Sequence, residues 1–213
     1  MATKNQNVRV VSPVGISQYA WLTQPDTAFD PDGHYKTNLL VKTDEAQALI
    51  KQIDAEIANS VKLAQESSKS KAPVKKSNAP YMEEVNDDGN ETGFTVFKFK
   101  TKAKIHAKDG TIIPNKVAIF DSKGKPLTDT NVWSGSEMKV SAELIKYHTA
   151  VAGAGVSMRL RAVQITKLVE GGDGNAKGYG FNEVDGGYEN TEDTSTTQED
   201  VNENTEIHEE ADF

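Results

Sequence analysis

The end of this chain cannot enter a hydrophobic core, and that limits what the rest can fold into. From residue 182 to residue 213 there are twelve Asp or Glu and no Lys or Arg, and the chain closes on Asp212-Phe213. A segment of such low hydrophobicity and high charge buries too little apolar surface to offset the entropy of ordering it. The expectation is one folded domain over residues 1–170 and a disordered acidic C-terminal tail over residues 171–213. The cut divides the charge as well. Residues 171–213 hold thirteen acids against one base, Lys177, a net −12, while the whole chain is −8. The body is left with +4, so the acidic pI near 5.1 conceals a basic domain.

With no cysteine in the chain, disulfides, thiolate metal sites and cysteine nucleophiles are excluded, in keeping with a reducing compartment. No apolar run reaches the ~20 residues of a membrane span, and the opening MATKNQNVRVV has no signal-peptide core. A soluble protein that stays inside a cell is expected.

Short strands are expected at 8–11 and 16–22, where Tyr19 and Trp21 would share a face, and a longer one at 34–42. Ala46, Leu49, Ile50, Ile53, Ile57, Val61 and Ala64 recur at three and four residues, with Asp44 and Gln47 spaced as a capping box, so one amphipathic helix runs over 44–67. Residues 68–93 read as a long loop, basic then acidic. Further strands follow at 94–106, 116–121, 136–147 and 156–169, parted by turns at Asp109-Gly110, at 122–126 and at 150–155. The alternation through Arg159 and Arg161 falls out of phase with Val163 and Ile165, which marks either a bulge or a stretch buried on both faces. The fold class is mainly β: an OB-fold, a five-stranded Greek-key barrel, with one amphipathic helix.

Phe97, Phe99, Ala103 and Ile105 alternate with Lys98, Lys100, Lys102 and Lys104, so the apolar set faces the core and the lysines line the other side. At ~3.3 Å per residue the lysines repeat every ~6.6 Å, close to the phosphate spacing of an extended single strand. A solvated strand edge would also carry lysine. Arg159 and Arg161 form a second basic ladder, and Lys123 and Lys125 flank a turn. Tyr19, Trp21, Tyr35, Trp133 and Tyr147 are available as stacking platforms for bases. Tyr147 is favoured because Lys146 and His148 flank it.

Several segments together resemble the single-stranded-DNA-binding proteins of T7-type bacteriophages. They are Tyr19-Ala20-Trp21-Leu22 with Gln24-Pro25-Asp26, the strand around Tyr35-Lys36, the stretch TVFKFK, Asp121-Ser122-Lys123-Gly124-Lys125, Gly135-Ser136 before Met138-Lys139-Val140, Tyr147 with Thr149-Ala150-Val151, and the acidic terminus. The resemblance spans nearly the whole chain. It implies an OB fold that coats single-stranded DNA in phage replication, recombination and repair within the bacterial host cytoplasm, without enzymatic activity or cofactor. It also implies that the tail touches the phage DNA polymerase and primase-helicase, with Glu209, Glu210, Asp212 and Phe213 as partner contacts, and it points to a homodimer. The candidate DNA contacts are Tyr35, Lys36, Lys98, Lys100, Lys102, Lys104, Lys123, Lys125, Trp133, Tyr147, Arg159 and Arg161.

The charge division suggests that the tethered tail competes with DNA for the basic groove. A rival reading is a protein-interaction module or nucleic-acid mimic that binds no single strand. Enzymatic motifs fail on spacing. His208-Glu209-Glu210 lacks the second histidine of a zincin, the aspartate-rich turns at 30–33 and 87–90 lack the closing glutamate of a calcium loop, and the glycines of 171–180 do not open a helix after a strand.

Overall fold

A computed structural model describes residues 7–68, 72–128 and 130–169. The expectations for residues 171–213, including Glu209, Glu210, Asp212 and Phe213, lie outside the described residues.

The described chain is mainly β with one helix. Its elements run β1 (Val8–Val11), β2 (Gly15–Asp26), β3 (His34–Lys42), α1 (Thr43–Ser67), β4 (Tyr81–Val85), β5 (Glu91–Lys102), β6 (Lys104–His106), β7 (Ile112–Pro114), β8 (Ala118–Phe120), β9 (Glu137–Thr149) and β10 (Gly153–Lys167). Five strands pair in a closed circuit: β2 with β3, β3 with β5, β5 with β10, β10 with β9, and β9 back to β2. All of these pairings are antiparallel except β5 with β10. β1 joins the circuit at β9, β4 at β5 and β8 at β10, while β6 and β7 form a separate hairpin.

Alternation turns one side of the circuit strands inward over much of their length, and stretches such as residues 39–41 and 95–97 are buried on both sides. Leu39, Val41, Phe97, Phe99, Val140, Leu144, Val156 and Leu160 are all buried, each worth ~1.5–3 kcal/mol in removed apolar surface. The helix packs mainly against β9 and β10 and buries Ala46, Leu49, Ile53, Ile57 and Ala64, the face its periodicity predicts. It enters directly from β3 without a side-chain cap, so the expected capping box does not form. The Gln47 side chain instead donates to the Thr43 carbonyl at 2.8 Å.

Two further expectations are corrected. Residues 68–93 are not all loop, because β4 pairs with the first half of β5 across a turn in which the Asn86 carboxamide oxygen accepts the Asp88 and Asn90 N–H groups. The strand expected over 94–106 breaks at Ala103, and Ile105 is exposed rather than in the core. Beyond the break the chain leaves the sheet for the β6–β7 hairpin, so the alternation no longer refers to the same core. The bulge near Arg161 is present: register shifts between Leu160 and Ala162, leaving Arg161 as the extra residue and returning Val163 and Ile165 to the core.

Candidate nucleic-acid interface

The outward side of β5 presents Lys98, Lys100 and Lys102, all exposed, while Phe97, Phe99 and Thr101 point inward. Register extends this row across the sheet. Lys100 lies opposite Lys36 on β3 and Arg159 on β10; Lys36 lies opposite Trp21 on β2; Arg159 lies opposite Glu143 on β9, which faces Arg9 on β1. Lys98 neighbours Asn38, which neighbours Gln18, and Lys102 neighbours His34. With ~4.8 Å between strands and ~6.6 Å between alternate residues, the result is a two-dimensional lattice of cations rather than a single ladder.

Carboxylates compensate part of that charge. Lys36 is bonded to Asp26, and this hydrogen bond, with the Ala28 N–H, holds the Asp26 carboxyl below its ordinary range. His106 at 2.6 Å and Lys104 at 3.9 Å share Asp32, whose carboxyl is held low chiefly by the His106 bond. Three guanidinium groups converge on Glu143: Arg9 at 3.6 Å, Arg159 at 3.8 Å and Arg161 at 3.5 Å. One carboxylate among three fixed cations leaves a surplus of two positive charges and orients their planar donors. Among the described residues, Lys98, Lys100 and Lys102 have no carboxylate within ion-pair distance, so the uncompensated charge sits in the middle of the sheet.

Tyr147 shares the outward side of β9 with Glu143, opposite Gly155. Its hydroxyl is 2.6 Å from the Ser77 hydroxyl, and a Cβ at Gly155 would meet Ser77 and the tyrosine ring, which is why this position is glycine. The ring is therefore pinned at one end of the basic face and half-buried. Residues 74–77 are drawn against β10 by the Ala154 N–H donating to the Lys75 carbonyl and the Ser77 N–H donating to the Ala154 carbonyl, both at 2.8 Å. Lys75 thus joins this end of the site. The basic half of the segment is visible in sequence, but its attachment to β10 is not.

The expected contacts do not all assemble. Tyr35 is only 6% exposed and belongs to the core cluster; it is one residue out of phase with Lys36 and cannot offer a ring to a base from there. Lys123 and Lys125 sit on the turn after β8, where Asp121 accepts both backbone N–H groups, beyond the end of the central row. Lys104 lies on the β6–β7 hairpin with Asp32 as its partner. Trp133 is half-exposed, beside Trp21 rather than on the lysine strand. The sequence alone leaves out Glu143 and Arg9, which carry no local signal, and Lys75, which shows only as part of a basic run; cross-strand register and chain attachment put them here.

A family model described as "Single-stranded DNA-binding protein, Bacteriophage T7" matches residues 14–168. The single-stranded DNA-binding protein of Enterobacteria phage T3 is 30% identical over 208 residues, covering 88% of this chain and 89% of that protein. Its counterpart from Escherichia phage T7 is 29% identical over 180 residues, covering 76% and 77%. Among solved structures, gp2.5, a single-stranded DNA-binding protein encoded by bacteriophage T7, superposes with a TM-score of 0.67 at 25% identity, over 87% of this chain and all of that one. The bacteriophage Enc34 single-stranded DNA-binding protein, solved with single-stranded DNA, gives 0.53 at 16% identity, over 76% and 88%, a likeness of fold.

Proposed function

This chain belongs to the single-stranded DNA-binding protein family of bacteriophage T7, a family of DNA-binding proteins and not of enzymes, and from that premise we propose that it coats single-stranded DNA during phage DNA replication, recombination and repair. Phosphates lie on the cation lattice centred on Lys100, and bases face the aromatic side chains at its margins. The observation that carries the reading is the in-register run Trp21, Lys36, Lys100, Arg159, which sets an aromatic beside three cations on adjacent strands. The closed five-strand circuit with its parallel β5–β10 pairing supports an OB-type barrel, an architecture suited to single strands.

The acidic residues 171–213 act as a tethered competitor for the same face, by charge complementarity with the +4 body at high effective concentration. DNA displaces them, and Glu209, Glu210, Asp212 and Phe213 then engage the phage polymerase and primase-helicase in the host cytoplasm. The same exchange between two copies supports a homodimer. Among the described residues no helix is long and apolar enough to cross a membrane.

Quantitative binding of mixed-sequence oligonucleotides by the full-length chain and a variant lacking residues 182–213, across a salt series, tests the reading. Affinity should fall steeply with salt and vary little with sequence, and the truncated protein should bind more tightly at low salt. No binding by either protein would return the chain to the mimic reading; equal affinities would remove the competing tail.

A further inference from the structure

β2 carries one residue more than β3 between two of their pairings: Gln18 lies opposite Asn38, but Trp21, not Ala20, lies opposite Lys36. The extra residue is at Tyr19, whose φ of 51° is left-handed. This bulge reverses the phase of the strand. Leu22 turns into the core, and Trp21, which unbroken pairing would aim inward, comes out onto the basic side.

A second indole meets it there. Residues 131–135 are held along β2 by the Gly135 N–H on the Ser17 carbonyl at 2.7 Å, the Ala20 N–H on Ser134 Oγ at 3.1 Å and Thr23 Oγ1 on Asn131 Oδ1 at 3.3 Å. Trp21 and Trp133 thereby line one cleft of about 300 Å³ with Ala20, Thr23, Gln24 and Asn131. They are the chain's two tryptophans, and both remain about half exposed, at 43% and 51%. Two large rings left open to water in one concavity next to a row of cations suit a flat apolar ligand that carries a negative charge.

We propose that the Trp21–Trp133 cleft is a base-binding subsite that takes one unstacked nucleobase of a single strand while the adjoining phosphates rest on Lys36 and Lys100. Lys36 is one strand spacing from Trp21 and Lys100 two, ~10 Å, so one or two nucleotides bridge indole and ammonium. The carboxamides of Gln24 and Asn131 at the rim provide both donors and acceptors, which accommodates any base edge and keeps the subsite sequence-tolerant. The inference rests on the single-strand reading above, and its failure is separable from that of the reading.

Because both tryptophans line the cleft, intrinsic emission reports on it directly. The full-length protein is titrated with a thymidine oligonucleotide and with an abasic oligonucleotide of equal length, and binding is followed in parallel by mobility shift. The thymidine strand should quench tryptophan emission, and the abasic strand should bind through its phosphates and leave emission largely unchanged. Trp21→Leu should weaken thymidine binding about 5- to 150-fold, the worth of a stacked base, without altering the slope of log K against log salt, and Trp21→Phe should restore most of it. The inference is overturned if the thymidine strand shifts the protein while emission stays constant, or if Trp21→Leu and Trp133→Leu bind as the wild type does. If no oligonucleotide shifts the protein, the single-strand reading falls and the subsite falls with it.

Discussion

Replacing Lys100 by Gln removes the central cation of the lattice. The side chain is exposed, with lysines two residues away on either side and Lys36 and Arg159 across the strands, so the change should leave stability within ~0.5 kcal/mol, as for other exposed sites. Its effect on binding is calculable. Counting Lys36, Lys98, Lys100, Lys102, Arg159 and Arg161 as phosphate contacts, the slope of log K against log salt for a single strand is about −0.7 per contact, or roughly −4 in total. Lys100→Gln should bring it to roughly −3.5. Between 50 and 200 mM salt the wild type would lose about 300-fold in affinity and the variant about 130-fold. The variant's deficit would therefore shrink by about 2.5-fold across that range. Lys167→Gln is the control, since it removes the same formal charge from an exposed, Glu137-paired site outside the central row. Fluorescence-anisotropy titrations of a labelled mixed-sequence oligonucleotide at four or five salt concentrations give both slopes. Equal slopes for the two variants would mean that net charge and not the lattice holds the strand, and the reasoning from register would be refuted.

Asp26→Asn should have the opposite sign on affinity, because the Lys36 contact with a phosphate is then no longer made at the expense of its Asp26 ion pair. The low-salt end of the same titrations should show tighter binding, with the number of phosphate contacts, and so the slope, close to that of the wild type. Glu143→Gln leaves Arg9, Arg159 and Arg161 facing one another without their carboxylate; urea unfolding should show a loss of about 1–2 kcal/mol, with tighter DNA binding at low salt. Gly153→Ala forces a side chain onto a residue at φ 86° whose Cβ would lie 2.2 Å from the Lys75 carbonyl oxygen, and should cost about 3 kcal/mol or more while detaching the segment that pins Tyr147. Lys146 Nζ bonds Glu56 at 2.7 Å and is the chief cause of that carboxyl's lowered pKa. A carboxylate lowered on folding contributes stability above its ordinary value of 4.5 and loses it as pH falls through the lowered one. Lys146→Met should accordingly be less stable than wild type by about 1–2 kcal/mol at pH 7, and chemical denaturation at successively lower pH should find the gap closing below 4.5; a constant gap would remove the ion pair as its cause.

The alternation in TVFKFKTK, the three- and four-residue recurrence over α1 and the phase break at Arg161 are each spelled out by neighbouring residues, and the structure holds all three. Local periodicity reports whether a residue points along or against its own neighbours, and a bulge that interrupts a long apolar run is visible for the same reason. Tyr35 fails because an aromatic beside a lysine on a strand lies on the other side of it, and only the position of the core decides which side is wet. Ile105 fails because the chain leaves the sheet at Ala103 with the pattern still intact. Trp21 depends on an extra residue at Tyr19, a position that carries neither glycine nor asparagine to announce a left-handed backbone. Glu143, Arg9 and Lys75 are distant in sequence from Lys100 and join its site through strand register and the attachment of residues 74–77. The sequence by itself thus determined the kind of face this protein presents, a β surface lined with cations on a body more basic than the whole chain. The tertiary structure decided which cations stand together, which of them a carboxylate already holds and which aromatic reaches their side. Those depend on pairings between distant strands, where a shift of one residue exchanges the two faces.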